Sequence, residues 1–342
     1  MAERDLIERL DDAVEAILSD HRQGLAMAEP ELATLLMVAG DLRALPDPAF
    51  KSQLLAELVP PMEDEMTTTA EDVKTEFPSI RPYLLVPDAD GMIAFLQESL
   101  GAELLGRYPD AEGRVMHAAM RVGDSLIEMG ESSAGPKTMA LHVYLDDVEG
   151  AYNRALAAGA TSTLPITDQA YGDREGGVKD QWGNAWYLAT HQEEVTEEEL
   201  MQRFGGGGSK PQKQAGVGPR PEGYHTVTPF LHVRGARKMI EFLGNAFGGT
   251  TAHVTDMPDR EVAHAAVRIG DSLIELGEAH GQSQPMPAAI HLFVADVDSV
   301  YERALRAGAT SVEAPADKPY GERGAWVTDP FENQWFIATA KS

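Results

Sequence analysis

The chain of 342 residues contains no cysteine. That excludes disulfides, cysteine-ligated zinc and a thiol nucleophile, and it fits a reducing compartment. Positive charge is scarce: 28 Lys and Arg stand against 55 Asp and Glu, a formal net charge of -27. Such a balance repels phosphate backbones and anionic lipid, so neither nucleic acid nor a membrane surface is an expected partner. No apolar run approaches the roughly 18 residues that a membrane span needs. The opening stretch MAERDLIERLDD is charged where a signal peptide would be apolar. The expected location is the cytoplasm.

What the chain does have is ordinary core material, 43% hydrophobic residues, over a length that suggests two or three domains. Residues 3–20 place Leu6, Ile7, Leu10, Val14, Ile17 and Leu18 at helical spacing. A second helix is expected from Pro30, burying Leu32, Leu35 and Leu36. A third is expected from the Asp47 cap and Pro48, with Phe50, Leu54 and Leu58 on its apolar side. Three short helices make a marginal core alone, so they are expected to pack on the rest or on a partner.

From Ser79 the sequence is a duplication. Residues 79–131 recur as 226–278, and residues 142–190 recur as 291–339. The best-matched stretch is HAAMRVGDSLIEMGE (His117 to Glu131) against HAAVRIGDSLIELGE (His264 to Glu278), which differ only by apolar exchanges. Each alternates about a Gly-Asp pair, the signature of a two-residue β-hairpin. The register about that turn puts His117, Arg121 and Glu128 on one hairpin face, and His264, Arg268 and Glu275 on the other hairpin's matching face. Ion pairs of Glu128 with Arg121 and of Glu275 with Arg268 are expected; contact with a ligand and metal ligation are the alternatives.

Each copy reads as strand, helix, strand and hairpin, then strand, helix and three strands: two βαβββ units. Between the copies, Thr196 and Glu199 form a capping box opening a short helix. GGGGSKPQKQAGVGPRPEG follows, a linker too polar and Gly-rich to order itself, natural or engineered. The expected organisation is a helical region over 1–60, a connector over 61–78, a first copy over 79–191, a helix plus linker over 192–224, and a second copy over 225–342. The Tyr171–Arg174 and Tyr320–Arg323 segments, Tyr-Gly-Asp/Glu-Arg, are expected to fix turns, with solvated charges. Glu332 stands where the first copy has Gly183, so either that loop differs or Asn333 carries a positive φ.

The combination of Pro-Tyr-Leu (Pro82 to Leu84), Ile-Gly-Asp-Ser-Leu-Ile (Ile269 to Ile274), Ala-Gly-Ala-Thr (Ala158 to Thr161; Ala307 to Thr310), Tyr-Gly-Asp/Glu-Arg and Asp-Pro-Phe…Asn-Gln-Trp (Asp329 to Trp335) resembles a known superfamily. It is the glyoxalase, bleomycin-resistance and extradiol dioxygenase group, or vicinal oxygen chelate (VOC) proteins, in its phosphonate-operon glyoxalase-like branch. The resemblance implies an α+β fold of two tandem VOC domains. Each would be a pair of βαβββ units forming a cupped mixed sheet, one cup per copy, preceded by the small N-terminal helical region.

Catalytic members of that superfamily bind a divalent metal at four strand positions. Carried over, these are Arg81, Glu128, Ala140 and Tyr187 in the first copy, and Thr228, Glu275, Ala289 and Phe336 in the second. Each set has a single usual ligand, so no cofactor is expected. His142 and His291 lie two residues past the third position on the cup-facing side, and His232 faces the cup as well. A displaced set of His232, Glu275 and His291 is the metal-binding alternative. Tyr83, Tyr144 and Tyr187, with Phe230, Phe293 and Phe336, face the cups by strand parity, while Trp186 and Trp335 pack under the helices. The expected function is binding of a small apolar or aromatic molecule; a metal-dependent lyase, isomerase or dioxygenase is the alternative. The repeats are expected to pair within one chain or in a homodimer.

Overall fold

A computed structural model of the protein describes residues 77–132, 137–204, 213–257, 260–281 and 284–340. The three expected N-terminal helices and most of the connector lie outside the described residues. In the first copy the order is β1 (Ile80–Val86), α1 (Ala89–Leu100), β2 (Glu103–Pro109), β3 (Val115–Val122), β4 (Ser125–Glu131), β5 (Ala140–Tyr144), α2 (Val148–Ala157), β6 (Thr161–Asp168), β7 (Asp173–Lys179) and β8 (Ala185–His191). After α3 (Glu197–Phe204) the second copy repeats it: β9 (Val227–Val233), α4 (Ala236–Phe247), β10 (Thr250–Met257), β11 (Arg260–Ile269), β12 (Ser272–Glu278), β13 (Ala289–Phe293), α5 (Val297–Arg306), β14 (Thr310–Asp317), β15 (Glu322–Thr328) and β16 (Gln334–Ala340). Among the described residues no helix is long and apolar enough to cross a membrane.

The helix starts are set by side-chain caps. Asp88, Asp147 and Asp296 accept the backbone N–H of Gly91, Gly150 and Ser299 at 2.9, 2.9 and 3.2 Å. Helix α4 begins at Gly235, which has no side chain to offer. There the Glu278 carboxylate reaches over and accepts the N–H of Gly235 and Ala236 at 2.9 and 2.8 Å. Gly101 and Gly248, at φ 67° and 72°, end α1 and α4 in the left-handed conformation.

The strands form two eight-stranded mixed sheets, ordered β14-β15-β16-β13-β1-β4-β3-β2 and β10-β11-β12-β9-β5-β8-β7-β6. Each sheet is a pair of βαβββ units, but the two units come from different copies. The central joints are antiparallel: β1 with β13, placing Arg81 opposite His291, and β5 with β9, placing His142 opposite Thr228. One cup per copy was the expectation; instead each cup is shared. The strands that open the copies, IRPYLLV and VTPFLHV, have the same inside-outside pattern. Either would fit beside β5 or β13, so local pattern does not choose between the two arrangements.

The repeated Gly-Asp-Ser turn is where the exchange is held. Asp124 accepts the Thr226 N–H at 2.8 Å and Ser125 Oγ accepts the Val227 N–H at 2.9 Å. Reciprocally, Asp271 accepts the Ser79 N–H at 3.0 Å and Ser272 Oγ accepts the Ile80 N–H at 3.3 Å. Each hairpin turn thus grips the start of the other copy's first strand. On the helical side each copy remains its own packed unit. Phe95 lies 6.0 Å from Trp186 and Phe247 4.5 Å from Trp335, and Arg154 and Arg303 donate to the carbonyls of Ser99 and Ala246. Both tryptophans are buried, as parity predicts, and their indole N–H groups donate to the buried Asp180 and Asp329.

Two local expectations change. Of the expected linker, residues 205–212 lie outside the described residues, while 213–223 run against the end of β8: Gln214 N–H donates to Gln192 O, His191 N–H donates to Pro219 O, and Arg220 pairs with Asp124 at 2.8 Å. Backbone pairing and one ion pair supply what the composition lacks. Glu332 itself takes φ 71°, the one non-glycine with positive φ among the described residues, matching Gly183 at 99°. Its loop is fixed because Asp329 accepts the N–H groups of Phe331 and Asn333 at 2.8 and 2.9 Å. The left-handed conformation is strained for a glutamate, so Glu332→Gly should raise stability by about 0.5–1 kcal/mol, read as a higher urea midpoint.

Candidate functional site

Two cups result, with equivalent positions and different chemistry. In the first, β4 presents Glu128, which is 4% exposed and flanked by groups from both copies. Arg81 on β1 reaches it at 3.3 Å, and His291 Nδ1 on β13 at 2.6 Å. Arg81 is 1% exposed and stacks over the Phe293 ring at 4.1 Å. His291 Nε2 points to the buried Glu322 of β15, 3.9 Å away. Burial pushes the Glu128 carboxyl up, but the charge and hydrogen bond of His291 and the charge of Arg81 outweigh it and hold the group at about 2. Burial also pushes the neighbouring Tyr83 hydroxyl up and the His117 imidazole down. Half-buried rings form the wall: Tyr83 lies 5.1 Å from Phe336 and 5.9 Å from His117, and Trp326 lies 5.1 Å from Phe336.

In the second cup Glu275 on β12 is 2% exposed and is bonded by His142 Nδ1 of β5 at 2.9 Å and by His264 Nε2 of β11 at 3.1 Å. Burial and the Glu275 charge push the neighbouring Tyr224 hydroxyl up. Thr228 occupies the place of Arg81, so no guanidinium enters the floor from this strand. Instead β7 adds two buried carboxylates. Asp173 accepts from Tyr144 Oη at 3.0 Å and pairs with His191 Nδ1 at 2.6 Å. Glu175 accepts from Tyr171 Oη at 2.9 Å and lies 3.5 Å from His142 Nε2. Burial lowers the His142 pKa, yet Glu275, Glu175 and Asp173 together raise it to about 9. The Glu175 carboxyl, by contrast, is pushed up by its burial. The wall is Phe230, His232 and Tyr187. Tyr187 Oη and His232 Nε2 are 2.9 Å apart, and burial lowers His232 to about 4.

Several sequence expectations are corrected by this geometry. Arg121 does not pair with Glu128; it meets Glu103 directly opposite on β2, and Arg81 takes the carboxylate. On the second hairpin the partner of Glu275 is His264, while Arg268 lies opposite Leu273. His291 belongs with Glu128 in the other sheet, so His232, Glu275 and His291 are not assembled as a metal set. The Tyr-Gly-Asp/Glu-Arg segments do more than turn. Asp173, Glu175 and Glu322 are 2%, 6% and 5% exposed, with only Arg174 and Arg323 directed outward to acidic partners. The signal for them was the period-two spacing of Asp173 and Glu175 at the start of a strand.

The four strand positions implied by the resemblance regroup across copies as Arg81, Glu128, Ala289 and Phe336, and as Thr228, Glu275, Ala140 and Tyr187. Each set keeps one carboxylate. A divalent ion held there would lack the several oxygen or imidazole donors that fix it, and in the first cup it would meet a guanidinium in contact with the sole acid. The usual metal set does not fit these residues. A cavity of about 710 Å³ bordered by Phe247, Ile269, Leu292 and Arg303 shares Phe293, the ring against Arg81, with the first cup, and none of the paired charges of either floor.

Comparison with known proteins agrees with this architecture. An uncharacterised protein of Mycobacterium bovis is 32% identical over 137 residues, spanning 36% of this chain and 90% of that protein. One from Mycobacterium tuberculosis is equally identical, over 81% of its length. Among solved structures, maize (Zea mays) glyoxalase I superposes with a TM-score of 0.51 at 16% identity, covering 76% of this chain and 91% of that one. A point mutant of the same maize enzyme, also 16% identical, gives 0.55, covering 76% and 94%. At that identity the likeness concerns the fold. The model of one family matches twice, over residues 78–188 and 224–337, and so takes in all four βαβββ units that build the two cups. By those two matches the chain belongs to the Glyoxalase/Bleomycin resistance protein/Dioxygenase superfamily.

Proposed function

We propose that the protein binds a small, planar, largely apolar molecule in each of the two cups, without the superfamily's usual four-ligand metal set. The observation that carries this reading is the layering of each cup: partly exposed rings form the walls, over a floor of buried, paired charge. Tyr83, His117, Phe336 and Trp326 offer faces for stacking in one cup, and Phe230, His232, Tyr187 and His264 in the other. Pockets of this kind take the apolar body of a ligand on the rings and orient its polar end on a few placed groups. Because each cup draws strands from both copies, ligand binding would also tie the copies together.

A thermal-shift screen of planar aromatic acids and amines tests this. A binder should raise the melting temperature in proportion to its occupancy, since it stabilises only the folded state. Binders of the first cup should quench Trp326, and Tyr83→Ala should weaken them roughly tenfold, the equivalent of about 1.4 kcal/mol of lost stacking. If no member of the panel shifts the melting temperature, or if Tyr83→Ala and Phe230→Ala leave every affinity unchanged, the reading fails. Metal-dependent lyase, isomerase or dioxygenase chemistry is the second reading, favoured by one observation: the Nε2 of His142, buried beside two carboxylates without a hydrogen-bond partner.

A further inference from the structure

We propose that the second cup holds one divalent metal ion on His142 Nε2, Asp173 and Glu175, and that the first cup holds none. This site is displaced from the superfamily's four strand positions: two of its donors come from β7. It stands whether or not an organic ligand binds.

The ligand atoms of His142, Asp173 and Glu175 all lie within 4.8 Å of one another. Tetrahedral donors at about 2.1 Å from one ion lie about 3.4 Å apart. His142 Nε2 and Glu175 are already at 3.5 Å, and the bound on the set leaves a closure of at most about 1.4 Å. The imidazole is already aimed. Its Nδ1 is held by Glu275 at 2.9 Å, and its Nε2 is buried with no hydrogen-bond partner, 3.5 Å from Glu175. A carboxylate that fixes one ring nitrogen so that the other can bind metal is the usual support for such a ligand. The acids are supported as well, by Tyr144 and His191 on Asp173 and by Tyr171 on Glu175, and these bonds leave carboxylate lone pairs unused.

The two cups differ in the way this site requires. In the first, Arg81 brings a permanent cation to Glu128, Glu322 stands where the second cup has Asp173, and Gly324 stands where it has Glu175. In the second, Thr228 brings no charge and three carboxylates, Glu275, Asp173 and Glu175, are buried at 2%, 2% and 6% exposure around His142. The imidazoles of His142, His264 and His191 face these acids, and among the described residues no guanidinium is paired with them. The first cup holds a permanent cation of the chain; the second has donors that can take one from solution. One imidazole with carboxylates and no thiolate suits Mn²⁺, Fe²⁺, Ni²⁺ or Zn²⁺, and three protein donors leave coordination positions open.

The test is titration of chelator-treated full-length protein with Mn²⁺ and with Zn²⁺, followed by calorimetry and, for Mn²⁺, by electron paramagnetic resonance. One equivalent per chain is expected, with coupling to an imidazole nitrogen. Glu175→Gln and His142→Gln should abolish stoichiometric binding, Glu275→Gln should weaken it by about 10–100-fold, and His291→Gln in the first cup should leave it within threefold. Circular dichroism on each variant separates loss of the site from loss of the fold. Two equivalents per chain, binding that survives Glu175→Gln in a folded protein, binding lost with His291→Gln, or absence of binding would each overturn the proposal.

Discussion

Replacing Glu128 with alanine is expected to destabilise the protein by about 3–5 kcal/mol, the range for removing one partner of a buried ion pair. The cost arises from what stays behind. Arg81 is 1% exposed, and its guanidinium cannot shed its proton to escape burial without the carboxylate. Glu275→Ala at the equivalent position should cost less. Its main partner, His142, is raised to about 9 only by the surrounding acids, and an imidazole can become neutral when one of them is removed. Replacing both members of the first pair, Arg81→Met with Glu128→Leu, should recover most of the loss, because the uncompensated charge then disappears. Urea denaturation of the three variants checks the ranking. Equal losses for Glu128→Ala and Glu275→Ala would show that the two floors are not held by different cations.

Acidification should unfold the protein through the same residue and through Glu275, whose carboxyl, against the upward push of its burial, His142 and His264 hold well below the usual carboxylate range. The Glu128 carboxyl sits at about 2 in the folded chain against an ordinary 4.5, so folding favours its charged form. Its contribution is complete above about pH 4.5 and is lost as the pH falls toward 2. The shift corresponds to at most about 3 kcal/mol. Asp124 acts in the same direction. Burial pushes its carboxyl up, but His225, Thr226 and Arg220 hold it well below the usual carboxylate range; being partly exposed, it contributes less. Urea midpoints at pH 6, 4.5 and 3 should fall steeply for the natural chain and less steeply for Glu128→Gln, which has no proton to gain at this position. Parallel acid limbs would assign the loss to other carboxylates.

Much of this fold was legible because period and turn chemistry agree. The alternation around Gly123-Asp124 and Gly270-Asp271 gave the hairpin with its register, Ala119 opposite Glu128 and Ala266 opposite Glu275. The helices α1, α2, α4 and α5 followed from spacing, and the burial of Trp186 and Trp335 from strand parity once the resemblance had supplied the cup. The partner of each half-copy was not legible, since β1 and β9 present the same faces and strand pattern does not say which of two equivalent edges a strand joins. A trace of it was present in the Gly-Asp-Ser turns, whose aspartate and serine are spent on the other copy's backbone. Arg81 was passed over for Arg121 because a residue diagonal on a hairpin is visible in sequence, whereas one on a neighbouring parallel strand is not. Asp173, Glu175 and Glu322 were missed because a Tyr-Gly segment reads as a loop, and loop charges are ordinarily solvated.

The shared cups can be tested by disulfide trapping, which the absence of native cysteine makes clean. Val143 and Val227 lie directly opposite across the β5–β9 joint, next to the Tyr144 N–H to Thr226 O bond of 2.8 Å, and therefore form a non-hydrogen-bonded pair. Cβ atoms at such a pair are about 4.5–5.5 Å apart, near the span a disulfide bridges. In a fold with one cup per copy, Val143 would instead face Ile80, the equivalent of Val227. Under mild oxidation of dilute protein, Val143→Cys with Val227→Cys should close within a single chain, while Ile80→Cys with Val143→Cys should stay reduced. Closure of the second pair with the first remaining open would contradict the account.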